Sequence, residues 1–234
     1  MKFDIVVADP PWGDFKDTLQ MSEVKRSAKD NYNGLMMAKQ ISELPIKDIC
    51  SDNSLLALWV PSSLLSQGLE VLNAWGFTHK QTYIWVKTKN DSLIVLRNIF
   101  VKSLKSADYG MFTFSKISKT INNILSEFLL KDVLKFEMGH YFRNTHEICL
   151  IGVKGKISNK RLNRSQRSVC FAPILKHSAK PECLQDSLDL MYDNSFNKLE
   201  LFARRDRNGW FCLGNQCPST FGEDINVSLK KFFE

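Results

Sequence analysis

The four residues Asp9-Pro10-Pro11-Trp12 carry the clearest chemical signal in the sequence. They follow an apolar run, residues 5–8, that is typical of a buried strand. Two successive prolines cannot extend a sheet or a helix, so the chain must leave the strand in a fixed bend, with the prolyl carbonyls free to accept hydrogen bonds. Asp9 adds a carboxylate acceptor, and Trp12 offers a flat ring on which a planar group could stack.

Two acceptors beside an aromatic ring suit a planar amine. The exocyclic amine of adenine has its lone pair delocalised into the ring, and accepting both of its N–H bonds at Asp9 and at the Pro10 carbonyl would direct that lone pair toward an electrophile. Such a site needs neither a strong base nor a covalent nucleophile. On these four residues alone, a rigid strand-to-loop turn with Asp9 as an N-cap stays open as the alternative.

The composition is that of a globular chain with a basic surplus. Of 234 residues, 44% are hydrophobic and 24% are charged, and the formal net charge of +7 favours a polyanionic partner such as nucleic acid. We expect a single domain. Because no apolar stretch reaches the roughly 20 residues that span a bilayer, we expect no membrane contact and a cytoplasmic protein of bacterial or phage type, or a nuclear protein if it is eukaryotic.

The six cysteines do not form the close pairs of common zinc sites. Several lie inside apolar runs, which favours reduced cysteines in the core. The histidines at positions 140, 146 and 177 are too scattered for a metal site, and we predict none.

Strand-like and helix-like segments alternate along the chain, which predicts a mostly parallel sheet with helices on both faces. We expect strands at residues 5–8, 55–60, 82–86, 147–153, 199–203 and 210–214. A helix is predicted over 64–75, capped by Ser62 or Ser63 and ended by Gly76. A second helix is predicted over 181–192, with Leu184, Leu188 and Met191 on one face.

Three stretches do not fit this alternation. Residues 13–35 are polar and follow the Asp-Pro-Pro-Trp bend, so we expect a lid or substrate clamp there. Residues 92–136 carry six lysines on an apolar background and predict an inserted helical module, with an amphipathic helix over 120–136, or else a solvated helix covering the sheet. Residues 156–168 hold Lys160, Arg161, Arg164 and Arg167, which suits a phosphate-contacting loop or plain disorder.

The motifs along the chain, taken in order, resemble the adenine-N6 methyltransferase family typified by the catalytic subunit of the eukaryotic messenger-RNA N6-adenosine methyltransferase. The resemblance begins at Asp9-Pro10-Pro11-Trp12 and covers most of the chain. It continues through residues 32–34, 44–46, 58–60, 72–77, 84–88, 139–141, 146–155, 180–182, 200–204 and 213–216.

The resemblance implies an α/β fold of the class I S-adenosylmethionine-dependent methyltransferases, a Rossmann-like seven-stranded sheet with helices on both faces. The catalytic motif comes first in the chain and the cofactor segments come last, which is the permuted order of the beta group of amino-methyltransferases. Permutation does not separate the two substrates, because the carboxyl ends of parallel strands meet at one edge.

The resemblance also implies roles for individual residues. Asp9 and the Pro10 carbonyl would hold the acceptor amine, with Pro11 and Trp12 completing the catalytic motif. Acceptor-pocket residues would be Tyr32, Glu147 and Lys180. Cofactor-binding residues would be Asp9, Lys180, Glu200, Leu201, Phe202, Arg204, Asn215 and Gln216. From their own context, Glu200 could instead be a surface charge, Lys180 a solvated helix start and Asn215-Gln216 a polar turn.

The chain departs from the family pattern in two places. Residues 204–207, Arg-Arg-Asp-Arg, stand where the superfamily has a glycine-rich loop, so cofactor affinity would depend on side chains. The segment between Lys89 and Gly139 is longer than in the eukaryotic enzyme, and the zinc-finger region found upstream there has no room here. Selection of the polymer would then fall to this insertion, to residues 13–35 or to another subunit.

We therefore expect a methyltransferase that modifies the N6 amine of adenine in nucleic acid, with DNA favoured over RNA because the chain is compact. A catalytically silent, nucleic-acid-binding subunit of a methyltransferase heterodimer is a different possibility, against which the intact Asp9-Pro10-Pro11-Trp12 motif argues. The active unit could be a homodimer or a heterodimer with a related subunit. Methylation of a protein glutamine amide would favour Asn at position 9 and leaves the positive charge unexplained.

Overall fold

The computed structural model describes residues 1–13, 34–90, 133–139, 141–174 and 179–233, with isolated positions between 97 and 122. The strands are β1 Phe3–Ala8, β2 Cys50–Val60, β3 Thr78–Thr88, β4 His146–Lys154, β5 Val169–Pro173, β6 Lys198–Leu201 and β7 Phe211–Leu213. The α-helices are α1 Ala38–Ser42, α2 Ile46–Ile49, α3 Leu65–Ala74, α4 Cys183–Met191 and α5 Ile225–Lys230. Short 3-10 helices cover Ser62–Leu64, Ile157–Lys160 and Pro218–Thr220.

All seven strands belong to one sheet, in the order β5-β3-β4-β2-β1-β6-β7. Strand β1 is parallel to β2 and to β6, and β6 is parallel to β7, whereas β4 is antiparallel to β2. The predicted α/β fold with a mostly parallel, permuted sheet is therefore confirmed. Strand β5 and the short helices α1, α2 and α5 were not predicted, because segments of four to six residues carry too little periodicity to stand out.

The register of the central strands sets the position of the site. Ala8, the last residue of β1, pairs with Leu58 of β2 and with Leu201 of β6. The carboxyl ends of these strands therefore reach one edge of the sheet, where ligands of open α/β sheets bind. Because β4 runs the other way, its first residues lie at this edge, and Lys154 at its end pairs with Ser54 near the opposite edge.

The chain forms two compact units. The first contains Met1–Ile84, Glu147–Cys170 and Glu182–Glu234, and the second contains Trp85–His146 and Phe171–Pro181. Most of the proposed insertion at 92–136 lies outside the described residues. At its end the predicted helix over 120–136 is wrong, because Leu134 forms an antiparallel bridge with Thr88 and the Lys135 N–H donates to the Lys87 carbonyl.

The core of the first unit is built around strands β1 and β2, whose apolar runs are buried on both faces. Trp75 is fully buried, and its indole N–H donates to the Ile41 carbonyl at 3.0 Å, which satisfies its polar atom. Gly76 ends α3 with a positive φ of 82°, as predicted. The predicted serine cap is wrong, since the N-cap position is Leu64 and no side chain caps this helix.

None of the six cysteines forms a disulfide bond. Four of them, at positions 50, 149, 212 and 217, are buried as predicted, whereas Cys170 and Cys183 are half-buried. Within the described residues, no helix is long and apolar enough to cross a membrane.

Candidate active site

The Asp9-to-Trp12 bend leaves β1 at the edge where the parallel strands end. The Asp9 N–H donates to the Leu201 carbonyl at 3.3 Å, which continues the pairing of β1 with β6 by one residue. The prediction that the prolyl carbonyls are free is wrong. The Pro10 carbonyl accepts the Trp12 N–H and the Pro11 carbonyl accepts the Met36 N–H, each at 2.9 Å. Each oxygen keeps a second lone pair for a ligand.

Trp12 anchors this bend to the core. Its side chain is only 5% exposed, and its indole N–H donates to the Trp59 carbonyl at 3.0 Å, at the end of β2. The indole ring is therefore not an open surface for base stacking, and that predicted role is not supported. Instead, Trp12 fixes the direction in which the chain carries Asp9 and Pro10 out of the sheet.

Glu200, in the middle of β6, is 9% exposed, so the alternative that it is a surface charge is wrong. Its Oε1 accepts from Arg205 Nη1 at 3.0 Å, whereas its Oε2 is buried without a hydrogen-bond partner among the described residues. Burial raises the pKa of the Glu200 carboxyl above its usual value, against the opposing effect of the Arg205 cation. A buried acceptor left without a donor suits a ligand hydroxyl or ammonium group.

The turn after β6 is shaped by two unusual backbone positions. Phe202 has a positive φ of 61°, which is costly for a residue with a large side chain. Gly214, after β7, lies so close to this turn that an added β-carbon would be 2.2 Å from the Ala203 carbonyl oxygen. The close approach brings Asn215 and Gln216, both exposed, next to the turn that carries Phe202.

Leu201 and Arg204 flank this turn. The Leu201 side chain is fully buried in the core, so at the site Leu201 contributes its backbone, which accepts from Asp9. Arg204 is half-buried.

A set of ion pairs holds the arginine-rich turn that replaces a glycine-rich loop. Arg207 bonds Asp186 and Asp189 of α4, each at 2.7 Å, and Glu182 just before that helix at 2.5 Å. Arg205 also bonds Glu182. The two arginines therefore fix the turn to α4, a role that sequence reasoning missed, because arginine spacing along the chain gives no sign of which acids lie opposite.

The three residues predicted to form the acceptor pocket lie in different parts of the chain's structure. Ile148 of β4 pairs with Val60, so Glu147 lies just beyond the end of β2, at the edge from which Asp9 emerges. Lys180 is half-buried in the second unit, two residues before the N-cap of α4. Tyr32 and most of the predicted lid, residues 14–33, lie outside the described residues.

The donor set at this edge fits S-adenosylmethionine. The carboxylates of Asp9 and Glu200 can accept hydrogen bonds from ammonium or hydroxyl groups such as those it carries, and the side-chain amides of Asn215 and Gln216 can both donate and accept. The partnerless Glu200 Oε2 is a buried acceptor that a ligand hydroxyl or ammonium group could satisfy.

Comparison with known proteins gives a consistent picture. The chain matches the family model described as MT-A70 over residues 3–107 and 111–216. It is similar to an N(6)-adenosine-methyltransferase MT-A70-like protein of Arabidopsis thaliana, 27% identical over 235 residues, which are 99% of this chain and 26% of that relative. It is 26% identical to the N(6)-adenosine-methyltransferase catalytic subunit METTL3 of Homo sapiens over 223 residues, 92% of this chain and 28% of the human protein.

A relative of another kind is the Type II methyltransferase M.MunI of Mycoplasma sp, 23% identical over 232 residues, which are 93% of this chain and 78% of that protein. The chain thus spans about a quarter of the length of the plant and human relatives and most of the length of M.MunI.

Proposed function

From the premise that the chain belongs to the MT-A70 family of S-adenosylmethionine-dependent adenine-N6 methyltransferases, we propose that it methylates the N6 amine of adenine in DNA. The net charge of +7 supports a polyanionic substrate. The likeness to a type II methyltransferase along 93% of this chain is the reason that DNA stands first.

The main structural support for this proposal is one backbone hydrogen bond. The hydrogen bond from the Asp9 N–H to the Leu201 carbonyl joins the amine-binding motif directly to the end of β6, where the proposed cofactor residues begin. An acceptor carboxylate and a methyl-donor site on adjacent strand ends would bring the two reacting groups together, which is the main contribution an enzyme can make to a direct transfer.

In the proposed reaction, Asp9 Oδ and the second lone pair of the Pro10 carbonyl accept the two N–H bonds of an adenine turned out of its stack. Accepting both bonds directs the nitrogen lone pair toward the cofactor side. Pro11 and Trp12 hold the bend, since the Pro11 carbonyl bonds Met36 and the Trp12 indole bonds Trp59. After transfer, Asp9 or water takes the surplus proton from the methylated amine.

The cofactor residues in this proposal are Asp9, Glu200, Phe202, Arg204, Asn215 and Gln216, together with the backbone of Leu201 and with Lys180. S-adenosylmethionine, when bound, supplies a methyl group activated by its sulfonium. By the resemblance to the family, Tyr32 and Glu147 would contact the acceptor base, and Lys180 would contact the base or the cofactor.

RNA is the second candidate substrate, and the higher identity to the N(6)-adenosine-methyltransferases favours it. The human relative is named a catalytic subunit, which makes a homodimer or a heterodimer a reasonable form of the active protein.

Methyl transfer from labelled S-adenosylmethionine to DNA and RNA oligonucleotides of matched sequence tests the proposal. We expect N6-methyladenine in DNA, detected by mass spectrometry of the digested nucleosides, and at least a 100-fold loss for Asp9→Ala. Exclusive methylation of RNA would overturn the choice of DNA, and activity within about tenfold of wild type in Asp9→Ala would overturn the role of Asp9.

The matched control is Asp52→Ala, because the Asp52 side chain is fully exposed on the first unit and has only a loose ion pair, 4.0 Å, with Lys154. It should methylate at the wild-type rate. Calorimetry separates a silent subunit from an enzyme, since a silent subunit would bind nucleic acid without binding the cofactor.

A further inference from the structure

The basic segment of residues 156–168, here called the basic loop, begins at the end of the sheet opposite to Asp9. It follows β4, whose last residue Lys154 pairs with Ser54. Its backbone is tied to the rest of the first unit, because the Leu162 N–H donates to the Met191 carbonyl at 2.9 Å and the Ser168 carbonyl accepts from the Ile84 N–H at 2.8 Å. Plain disorder, one of the two sequence-based alternatives, is therefore wrong for this loop.

The basic loop forms one wall of a cavity of about 100 Å³ that lies wholly within the first unit. Its rim is polar and cationic, with Arg161, Arg164 and Arg167 accompanied by amide and hydroxyl side chains. Its floor is apolar and comes from β2, β4 and α4, including Leu55, Ile151 and Leu188. Arg161 is half-buried and Arg164 and Arg167 are exposed, so an anion can reach all three guanidinium groups from solvent.

The carboxylates of α4 do not neutralise this rim. Asp186 and Asp189 point to Arg207, with which each forms a 2.7 Å ion pair, whereas Leu184, Ser187, Leu188 and Met191 face the cavity. Among the described residues that line the cavity there is no Asp or Glu. Helix α4 thus has an acidic face that holds the arginine-rich turn and an uncharged face toward the three cavity arginines.

Two of the three arginines are held in place by hydrogen bonds to backbone carbonyls. Arg161 Nε donates to the Ser158 carbonyl at 3.0 Å, and Arg167 Nη1 donates to the Ser165 carbonyl. Each bond uses one of the five N–H donors of a guanidinium, so both side chains are held in place with donors remaining. Planar guanidinium groups match the oxygens of a phosphate in a bidentate manner, which lysine cannot do.

We propose that this cavity binds a phosphate group of the nucleic-acid backbone outside the acceptor base. The inference rests on the proposed function and adds a second contact point for the polymer. Along β2, Leu58 beside Ala8 and Ser54 beside Lys154 are about 13 Å apart, at roughly 3.3 Å per residue. A duplex of several base pairs is long enough to contact both places, so the cavity would bind a phosphate other than that of the acceptor nucleotide.

The test uses the triple variant Arg161→Gln, Arg164→Gln, Arg167→Gln. The matched control, Lys39→Gln, Lys47→Gln, Lys230→Gln, removes the same charge from three exposed lysines elsewhere on the first unit. Fluorescence anisotropy measures the affinity for a 20-base-pair duplex between 50 and 200 mM salt. We expect the triple variant to lower the slope of log K against log salt by about 1, at roughly 0.9 per phosphate contact, and the control to leave the slope nearly unchanged.

Two further measurements separate this role from a loss of folding. Cofactor affinity by calorimetry and the melting temperature should stay at the wild-type level in the triple variant. Replacing the same three arginines by lysine should restore most of the salt slope and only part of the affinity, because charge returns without bidentate geometry.

A salt slope in the triple variant equal to that of the control would overturn the inference while leaving the proposed function intact if the variant still methylates. Binding of AMP or inorganic phosphate to wild type but not to the triple variant, with an unchanged slope, would assign the cavity to a free phosphate and also overturn it. If the wild-type protein binds the duplex through these arginines but does not methylate it, the proposed function is wrong and the inference stands.

Discussion

Gly214 lies against the backbone of Ala203, so that a β-carbon on Gly214 would be 2.2 Å from the Ala203 carbonyl oxygen and 2.7 Å from its nitrogen. The Ala203 N–H in turn donates to the Leu213 carbonyl at 2.9 Å. These contacts fix the turn after β6 against the end of β7. The close approach is thus made by Gly214 in the turn after β7, and not by a glycine-rich turn after β6.

Replacing Gly214 by alanine should therefore separate the two turns. We expect a loss of about 3 kcal/mol in the free energy of unfolding, because the clash is with backbone and cannot be relieved by a rotamer change. Cofactor affinity should fall at least tenfold, since Asn215 and Gln216 move with the turn. Urea unfolding and calorimetry measure the two effects.

Gly209→Ala is the comparison variant for this prediction. Gly209 has a positive φ of 78°, but the nearest atom to an added β-carbon is Asn194 Oδ1 at 3.7 Å. Only the conformational cost of about 1–2 kcal/mol is expected there, with unchanged cofactor affinity. Equal effects on cofactor binding in the two variants would contradict the close-approach argument.

Trp12→Phe should distinguish an anchoring role from base stacking. Phenylalanine keeps an aromatic ring but cannot donate to the Trp59 carbonyl, so we expect a loss of about 1–3 kcal/mol in stability. If Trp12 is an anchor, KM for the oligonucleotide should stay within about threefold while thermal stability falls. A large rise in KM with unchanged stability would favour stacking instead.

Asp189→Asn should destabilise the first unit strongly at neutral pH. Asp189 accepts from Lys198 Nζ at 2.6 Å and from Trp210 Nε1 at 3.0 Å, and the Lys198 side chain is only 1% exposed. Losing the carboxylate leaves a buried ammonium group without its counter-charge, which costs about 3 kcal/mol. Urea unfolding at pH 7 measures this loss.

The ion pair between Asp189 and Lys198 also predicts that the stability of the protein depends on pH. Burial alone would raise the pKa of Asp189, but hydrogen bonds from Lys198 and Arg207 outweigh it and the pKa lies below its usual value of 3.8. The stabilisation by this carboxylate is thus fully present above about pH 4 and is lost as the pH falls through the lowered pKa. The gap between wild type and Asp189→Asn should shrink in that acid range.

Asp186→Asn is the control for Asp189. It bonds the same Arg207, but its side chain is 60% exposed, and exposed ion pairs contribute at most about 1 kcal/mol. A loss in Asp186→Asn as large as that in Asp189→Asn would show that the buried Lys198 is not the cause.

Cys183 should be the most reactive of the half-buried and buried thiols. A hydrogen bond from Cys170 lowers the pKa of Cys183 to about 7, whereas burial raises the pKa of Cys50 and of Cys212 to about 12. Since the thiolate is the nucleophile, iodoacetamide at pH 7.5 should modify Cys183 well before Cys50 or Cys212. Peptide mass spectrometry over a time course follows each site.

Cys170→Ala removes the hydrogen bond that stabilises the Cys183 thiolate. The alkylation of Cys183 should then slow and its half-maximal pH should rise toward the ordinary thiol value of about 8.5. An unchanged pH profile in this variant would show that Cys170 does not determine the reactivity.

Much of the fold could be predicted because the signals are local. The continuous apolar runs of β1 and β2 and the 3.6-residue spacing of α4 can be recognised directly in the sequence. The prolines of Asp9-Pro10-Pro11-Trp12 determine a bend wherever they stand, since their φ angles are fixed by the ring. The choice of planar-amine chemistry at Asp9 needed only these residue types in this order.

The sequence could not tell which long-range partner each polar group would find. Arg205 and Arg207 stand in the segment that takes the place of a glycine-rich loop, and nothing in the sequence shows that they form ion pairs with Glu182 and the acids of α4. Trp12 was expected to face a base, and it lies in the core, because burial depends on which strands become neighbours rather than on the residue's own motif.

By itself, then, the sequence determined the alternating α/β fold and an acceptor motif at the tip of its first strand. Only the tertiary structure decided that this tip lies beside the end of β6 and that Gly214 lies against Ala203 in the turn after β6. It also decided that three arginines line one cavity. The reason is physical: local spacing fixes backbone geometry, whereas hydrogen bonds and ion pairs between distant segments exist only once the sheet has chosen its strand order.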